Sequence, residues 1–140
     1  MNDAIDTAID RLLDLSKGAR TKLPVPSEEM IEQCEQEIGM PIPEDFRKVL
    51  RRASNVFFGP IDLVTITGSP QSHWTDLKAV VADARSSGVP GDWLPICEDN
   101  ADFYCLVPDG SVRFWSHNGP TQESWPSLAA WIEDIWIASK

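Results

Sequence analysis

Histidine and cysteine are scarce in this chain, and their spacing excludes the common metal and nucleophile patterns. Only His73 and His117 occur, neither in an HExxH arrangement. None of the three cysteines (Cys34, Cys97, Cys105) stands near either histidine in a zinc-ligand spacing. The cysteines form no CxxC pair; Cys34 falls on the apolar face of a predicted helix, and Cys97 and Cys105 fall in predicted strands. They read as small buried hydrophobes of a protein kept in a reducing compartment, the cytoplasm. A GxSxG nucleophile elbow, a Walker loop and a GxGxxG phosphate cradle are all missing. The expectation is therefore no catalytic residue, no cofactor and no metal ligand.

Long apolar runs are absent too. No stretch approaches the ~20 residues a membrane span requires. The segment Met1 to Lys17 carries four Asp residues, the reverse of a secretory leader. Basic residues are the third scarcity. Lys and Arg number 12 against 22 Asp and Glu, for a net charge of −10. The excess is concentrated after residue 52: residues 1–52 hold 8 basic and 11 acidic groups, residues 53–140 hold 4 and 11. Such a surface repels nucleic acid and anionic membranes and favours basic partners, although net negative charge also serves solubility alone.

What remains is an ordinary globular composition, 42% hydrophobic and 24% charged over 140 residues, enough for one domain with a real core. Ile5, Ile9, Leu12 and Leu13 mark one face of a first helix, and Gly18 is a plausible stop. A basic, proline-bearing connector runs from Ala19 to Pro26. Ser27 can cap a second helix whose first turn carries Glu28 and Glu29, with Met30, Ile31, Cys34 and Ile38 inward and Gly39 at its end. Pro41 and Pro43 forbid continuation, yet Pro43 suits the start of a third helix. That helix has Phe46, Val49 and Leu50 inward and Arg51 and Arg52 at its cation-favouring end.

Past residue 55 the chain changes character. Val56–Phe58 and Ile61–Ile66 predict two strands. A central helix is expected over Asp76–Arg85, then strands over Trp93–Cys97, Phe103–Val107 and Ser111–Ser116. Pro108-Asp109-Gly110 is a hairpin signal. Leu128, Trp131, Ile132, Ile135 and Trp136 repeat with a helical period in the last segment. The fold class is α+β: a single domain with a mainly antiparallel sheet, N-terminal helices, one central helix and a C-terminal helix packed around it. The boundaries read as an N-terminal helix and connector over 1–23 and the main domain over 24–137.

One constellation could carry chemistry. Glu98-Asp99-Asn100-Ala101-Asp102 sets three carboxylates within five residues between two predicted strands. A solvated turn, a partner-binding loop, and a hard-cation or acid–base site are the alternatives. The EF-hand layout of alternating ligands, central glycine and distal Glu is not there. Among the six tryptophans, Trp131 and Trp136 fall on the apolar stripe of the last helix. Trp74 and Trp125 fall in loop or capping contexts, which makes them candidate contact anchors. The partner-binding candidates are thus Glu98, Asp99, Asp102, Trp74 and Trp125.

The run Glu35-Gln36-Glu37-Ile38-Gly39-Met40-Pro41-Ile42-Pro43-Glu44-Asp45-Phe46 resembles the opening of the SMI1/KNR4 (SUKH) family. The family pattern is a helix ending E-x-x-[LI]-G followed by x-x-[LI]-P-x-[DE]-[FY]. Asp102 to Leu106 resembles its G-D-x-x-x-[LF] strand, with Ala101 in place of the glycine. Asn55-Val56 stands where many members have Asn-Gly. The resemblance covers roughly residues 24–137. It implies a non-catalytic binding module: bacterial members are mostly predicted immunity proteins that bind a toxin encoded alongside them, and fungal members are intracellular regulators acting through protein contacts. The expected partner is a protein, a basic toxin domain. A regulatory or scaffold domain is the alternative, and a metal-dependent hydrolase built on the 98–102 carboxylates is the third reading.

Overall fold

The capping signals around residues 27–53 are realised in a computed structural model, which describes residues 4–16, 25–54, 63–66, 76–99, 102–117 and 119–138, with backbone alone at 99, 119 and 120. Helix α1 spans Ala4–Ser16, α2 Glu28–Ile38 and α3 Glu44–Ala53. Ser27 accepts a hydrogen bond from the Met30 N–H at 3.3 Å, so one orphan donor of α2 is met. Gly39, at φ +73°, ends α2 with its N–H on the Glu35 carbonyl. That left-handed conformation strains any residue with a Cβ, hence the glycine.

The connector after Gly39 is clamped by charge. Pro41 and Pro43 have no N–H, and the Ile42 N–H between them donates to Glu35 Oε2 at 2.6 Å. Arg47, from α3, reaches Glu35 at 2.9 Å, Glu28 at 2.7 Å and the Ile42 carbonyl at 2.9 Å. One partly buried guanidinium therefore fixes the angle between α2 and α3. The Ile42 N–H and the guanidinium hold the Glu35 carboxyl below the usual carboxylate range.

Residues 55–62 lie outside the described set, and with them the first predicted strand and the first two residues of the second. The remainder is not a full strand. Leu63 and Thr65 make single bridges, to Cys97 and Asp76, and the Val64 N–H donates to the Ile96 carbonyl at 2.9 Å. The predicted central helix is α4, Leu77–Ser87, capped by Asp76, which accepts from the Lys78 N–H.

Four strands then form an antiparallel meander: β1 Leu94–Asp99, β2 Asp102–Leu106, β3 Val112–Ser116 and β4 Gly119–Trp125, in that spatial order. The β2–β3 hairpin turns at Pro108-Asp109-Gly110 as expected, with Gly110 at φ +92°. Strand β4 was not legible. It is a polar edge strand beginning Gly119-Pro120, without apolar alternation, and proline is tolerated there because an edge leaves N–H positions unpaired.

The last helix also differs from its sequence pattern. Only Leu128–Trp131 (α5) is α-helical; Ile132–Ile137 winds as a π-helix. Residues five apart point about 140° from one another at 3.6 residues per turn. Looser i→i+5 winding brings them toward one face. Trp131 and Trp136 are accordingly both fully buried, their ring centroids 6.3 Å apart, while Ile135 is only half-buried. All these elements share one core. Helix α1 contributes Ile5, Ile9 and Leu12 to it and packs on α3 and α5.

Candidate functional site

Strand pairing brings part of the acidic constellation to one end of the sheet. Asp99 and Asp102 face each other across the β1–β2 ladder, and Glu98 faces Phe103. Glu98 is half-buried; Asn100, Ala101 and the Asp99 side chain lie outside the described residues. Asp102 is tied down. Its Oδ1 accepts from the His117 backbone N–H at 2.8 Å and lies 2.8 Å from His117 Nδ1. His117, in the turn after β3, is thus the neighbour of the acidic turn. The backbone N–H first, then burial opposing it and the imidazole contact, leave the Asp102 carboxyl below its usual value.

The tryptophan candidates do not join these carboxylates. Trp125 closes β4 opposite Val112, near the other end of the ladder, and packs half-buried on Tyr104 at a centroid distance of 5.6 Å. Trp74 lies outside the described residues. Of the five candidates, Glu98, the Asp99 backbone and Asp102 therefore share one end, and Trp125 does not.

Cations are concentrated outside the sheet. On the helical half, cations meet carboxylates: Lys48 with Asp6, Arg52 with Asp6 and Asp10, Arg51 with Glu28, Arg11 with Glu133, and Lys78 with Glu37. Arg85 donates to the Ile38 carbonyl at the end of α2. From Asp92 to Trp125 there are six acidic residues and one cation, Arg113. These 34 residues therefore carry half of the chain's net charge of −10. Among the described residues, no three His, Cys, Asp or Glu side chains gather where they could hold one metal ion. All three thiols are free and buried, and burial pushes Cys34 and Cys105 up to about 12.

A model of the SMI1-KNR4 cell-wall family matches residues 1–137. The chain belongs to the SMI1-KNR4 (SUKH) family. The match includes α1 as well as the stretch that carries the recognisable motif. The structure is similar to the crystal structure of a protein from Pseudomonas syringae pv. tomato, with 36% identity, 96% of this chain and 99% of that chain covered, and a TM-score of 0.85. Comparison with curated proteins gave no match. Among the described residues of this SMI1-KNR4 domain, no helix is long and apolar enough to cross a membrane.

Sequence reasoning missed two features of the domain. One is His117, which pairs with Asp102 across fifteen residues that only the β2–β3 pairing brings together. The other is an apolar groove at the opposite end of the sheet, assembled from three separate segments. The Asp102 contact has a pH consequence. Its carboxyl titrates in the folded state below its ordinary value of 3.8. The contact therefore adds stability above that pH, which is lost as pH falls through the folded value. Asp102→Asn is expected to flatten the decline of the urea midpoint below about pH 4. Parallel wild-type and variant profiles would contradict the assignment.

Proposed function

We propose that this SMI1-KNR4 domain is a cytoplasmic protein-binding module, an immunity protein that neutralises a cognate basic toxin domain by direct contact and without chemistry of its own. The carrying observation is the density of acid on the sheet. Residues 92–125 hold six acids against one cation, half of the net charge of −10 in 34 of the 140 residues. An unbalanced acidic face steers and orients a basic partner. Family membership supports the binding role, and three buried free thiols accord with a reducing compartment.

In this reading the β1–β2 turn, with Glu98, Asp99 and Asp102, is part of the interface. Co-expression with the C-terminal domain of any toxin-like protein encoded beside this chain tests the reading. The expected outcome is restored growth and recovery of the two chains as one complex. A toxic domain that stays toxic and forms no complex with the co-expressed protein would contradict it.

A further inference from the structure

At the end of the sheet away from the acidic turn, the Gly39–Pro43 connector, the turn before β1 and the β2–β3 hairpin enclose a groove of about 450 Å³. Leu94 and Leu106, cross-strand partners, lie in its wall. Along β1 this is roughly 16 Å from the Asp99–Asp102 pair at ~3.3 Å per residue. The groove and the acidic turn are separate places.

Three observations define what the groove fits. First, its walls are ordered and apolar. Met40, Leu94, Leu106 and Val107 are at most 8% exposed, and the connector is held by the Glu35–Arg47–Ile42 clamp. Such a wall needs little ordering on binding. Second, its charge has one sign. Among the described lining residues Asp92, exposed, is the one ionisable side chain, and none is a cation. Third, Gly91 is not required by the fold. Its φ lies outside the left-handed range, and a Cβ there would meet nothing within 4 Å. A missing side chain at that position leaves the groove wall open at no gain in packing.

We propose that this groove binds a segment of a partner protein that carries both apolar and Lys or Arg side chains. The apolar side chains occupy the Met40–Leu94–Leu106 wall, and a cation meets Asp92. Lys and Arg suit both environments, because their aliphatic stems lie on apolar surface while the charged head stays at the rim. An acidic or purely polar segment satisfies neither. The inference rests on the protein-binding reading above and adds a second contact to it, with its own partner chemistry.

The probe is a fluorescein-labelled octapeptide, GLRLKLRG, followed by anisotropy against the intact protein at physiological salt. Saturable binding with a Kd of about 10–100 μM is expected. The peptides GSRSKSRG and GLELELEG should bind at least roughly tenfold more weakly, because each removes one half of the match. Gly91→Leu and Asp92→Lys should each weaken GLRLKLRG about fivefold, the first by filling the groove and the second by reversing its charge. Asp92 is exposed, so its variant keeps the test valid even if Gly91→Leu does not fold. Glu98→Lys/Asp99→Lys should leave the Kd within about twofold, since charges a Debye length or more away are largely screened. Absence of saturable binding, or equal binding by wild type and Asp92→Lys, would overturn the groove proposal while leaving toxin neutralisation intact. Peptide binding as expected together with failed co-expression protection would overturn neutralisation and leave the groove.

Discussion

Phe46→Ala is expected to lower the free energy of unfolding by roughly 3–5 kcal/mol. Phe46 stands one turn into α3, fully buried, where the connector Met40-Pro41-Ile42-Pro43 delivers the chain into the core. Truncation removes the transfer free energy of the ring and leaves a cavity lined by neighbours that are themselves constrained. The connector cannot collapse inward easily, because Arg47, the next residue, is fixed to Glu28, Glu35 and the Ile42 carbonyl. Domains of this size are commonly stable by only about 5–15 kcal/mol, so the loss is a large fraction of the total. Urea unfolding followed by far-UV circular dichroism and by tryptophan fluorescence gives the measurement. The midpoint should fall with the slope unchanged, and the two probes should coincide, since α1 to the last π turn share one core. A loss below about 1 kcal/mol would mean that the ring is not packed as described.

The helical half was legible because its signals are local. Ser27, Gly39 and the two prolines each act on neighbours a few residues away, and the apolar stripes of α2 and α3 face the core as their spacing predicts. The antiparallel sheet was legible at its hairpin, where Pro108-Asp109-Gly110 leaves few other conformations. Strand β4 was not, because Gly119-Pro120-Thr121-Gln122-Glu123-Ser124-Trp125 lacks alternation. Its pairing with β3 includes a register shift between Arg113 and Trp115. At that shift the Phe114 carbonyl accepts from the Thr121 hydroxyl at 2.7 Å, a contact no pattern in the sequence announces. The π winding of residues 132–137 was hidden behind an apolar pattern that also fits an α-helix; the looser turn accompanies the burial of both Trp131 and Trp136.

The candidate site divides along the same line. Glu98, Asp99 and Asp102 are neighbours in sequence, so their clustering was readable, but the pairing of Asp102 with His117 depends on the sheet. Trp125, expected in a loop or capping context, closes β4 and lies on Tyr104, which itself stacks toward Trp131 at 5.4 Å. The groove draws on residues 39–43, 91–94 and 106–110, which have no common motif and meet only in three dimensions.

Glu98→Lys/Asp99→Lys is expected to slow association with a basic toxin partner by about 10- to 100-fold at low salt. The two substitutions change the net charge of the protein by four units, from −10 toward −6, at the end of the sheet proposed to meet that partner. Long-range attraction raises the rate of encounter and is screened as salt rises, so the wild-type rate should fall steeply with ionic strength and the variant rate only gently. Dissociation should change less than association, because rim charges act mainly through steering. Glu98 is half-buried on β1 and Asp99 closes that strand, so the variant's melting temperature must be compared first to confirm that it folds. Asp102 is left unchanged in this variant because its bond to His117 would confuse stability with steering. The decisive measurement is stopped-flow association of wild type and Glu98→Lys/Asp99→Lys with the partner recovered by co-expression, at low and at high salt. Rates that differ at least tenfold at low salt and converge at high salt are the predicted result; equal rates at every salt concentration would contradict a binding role for the acidic turn.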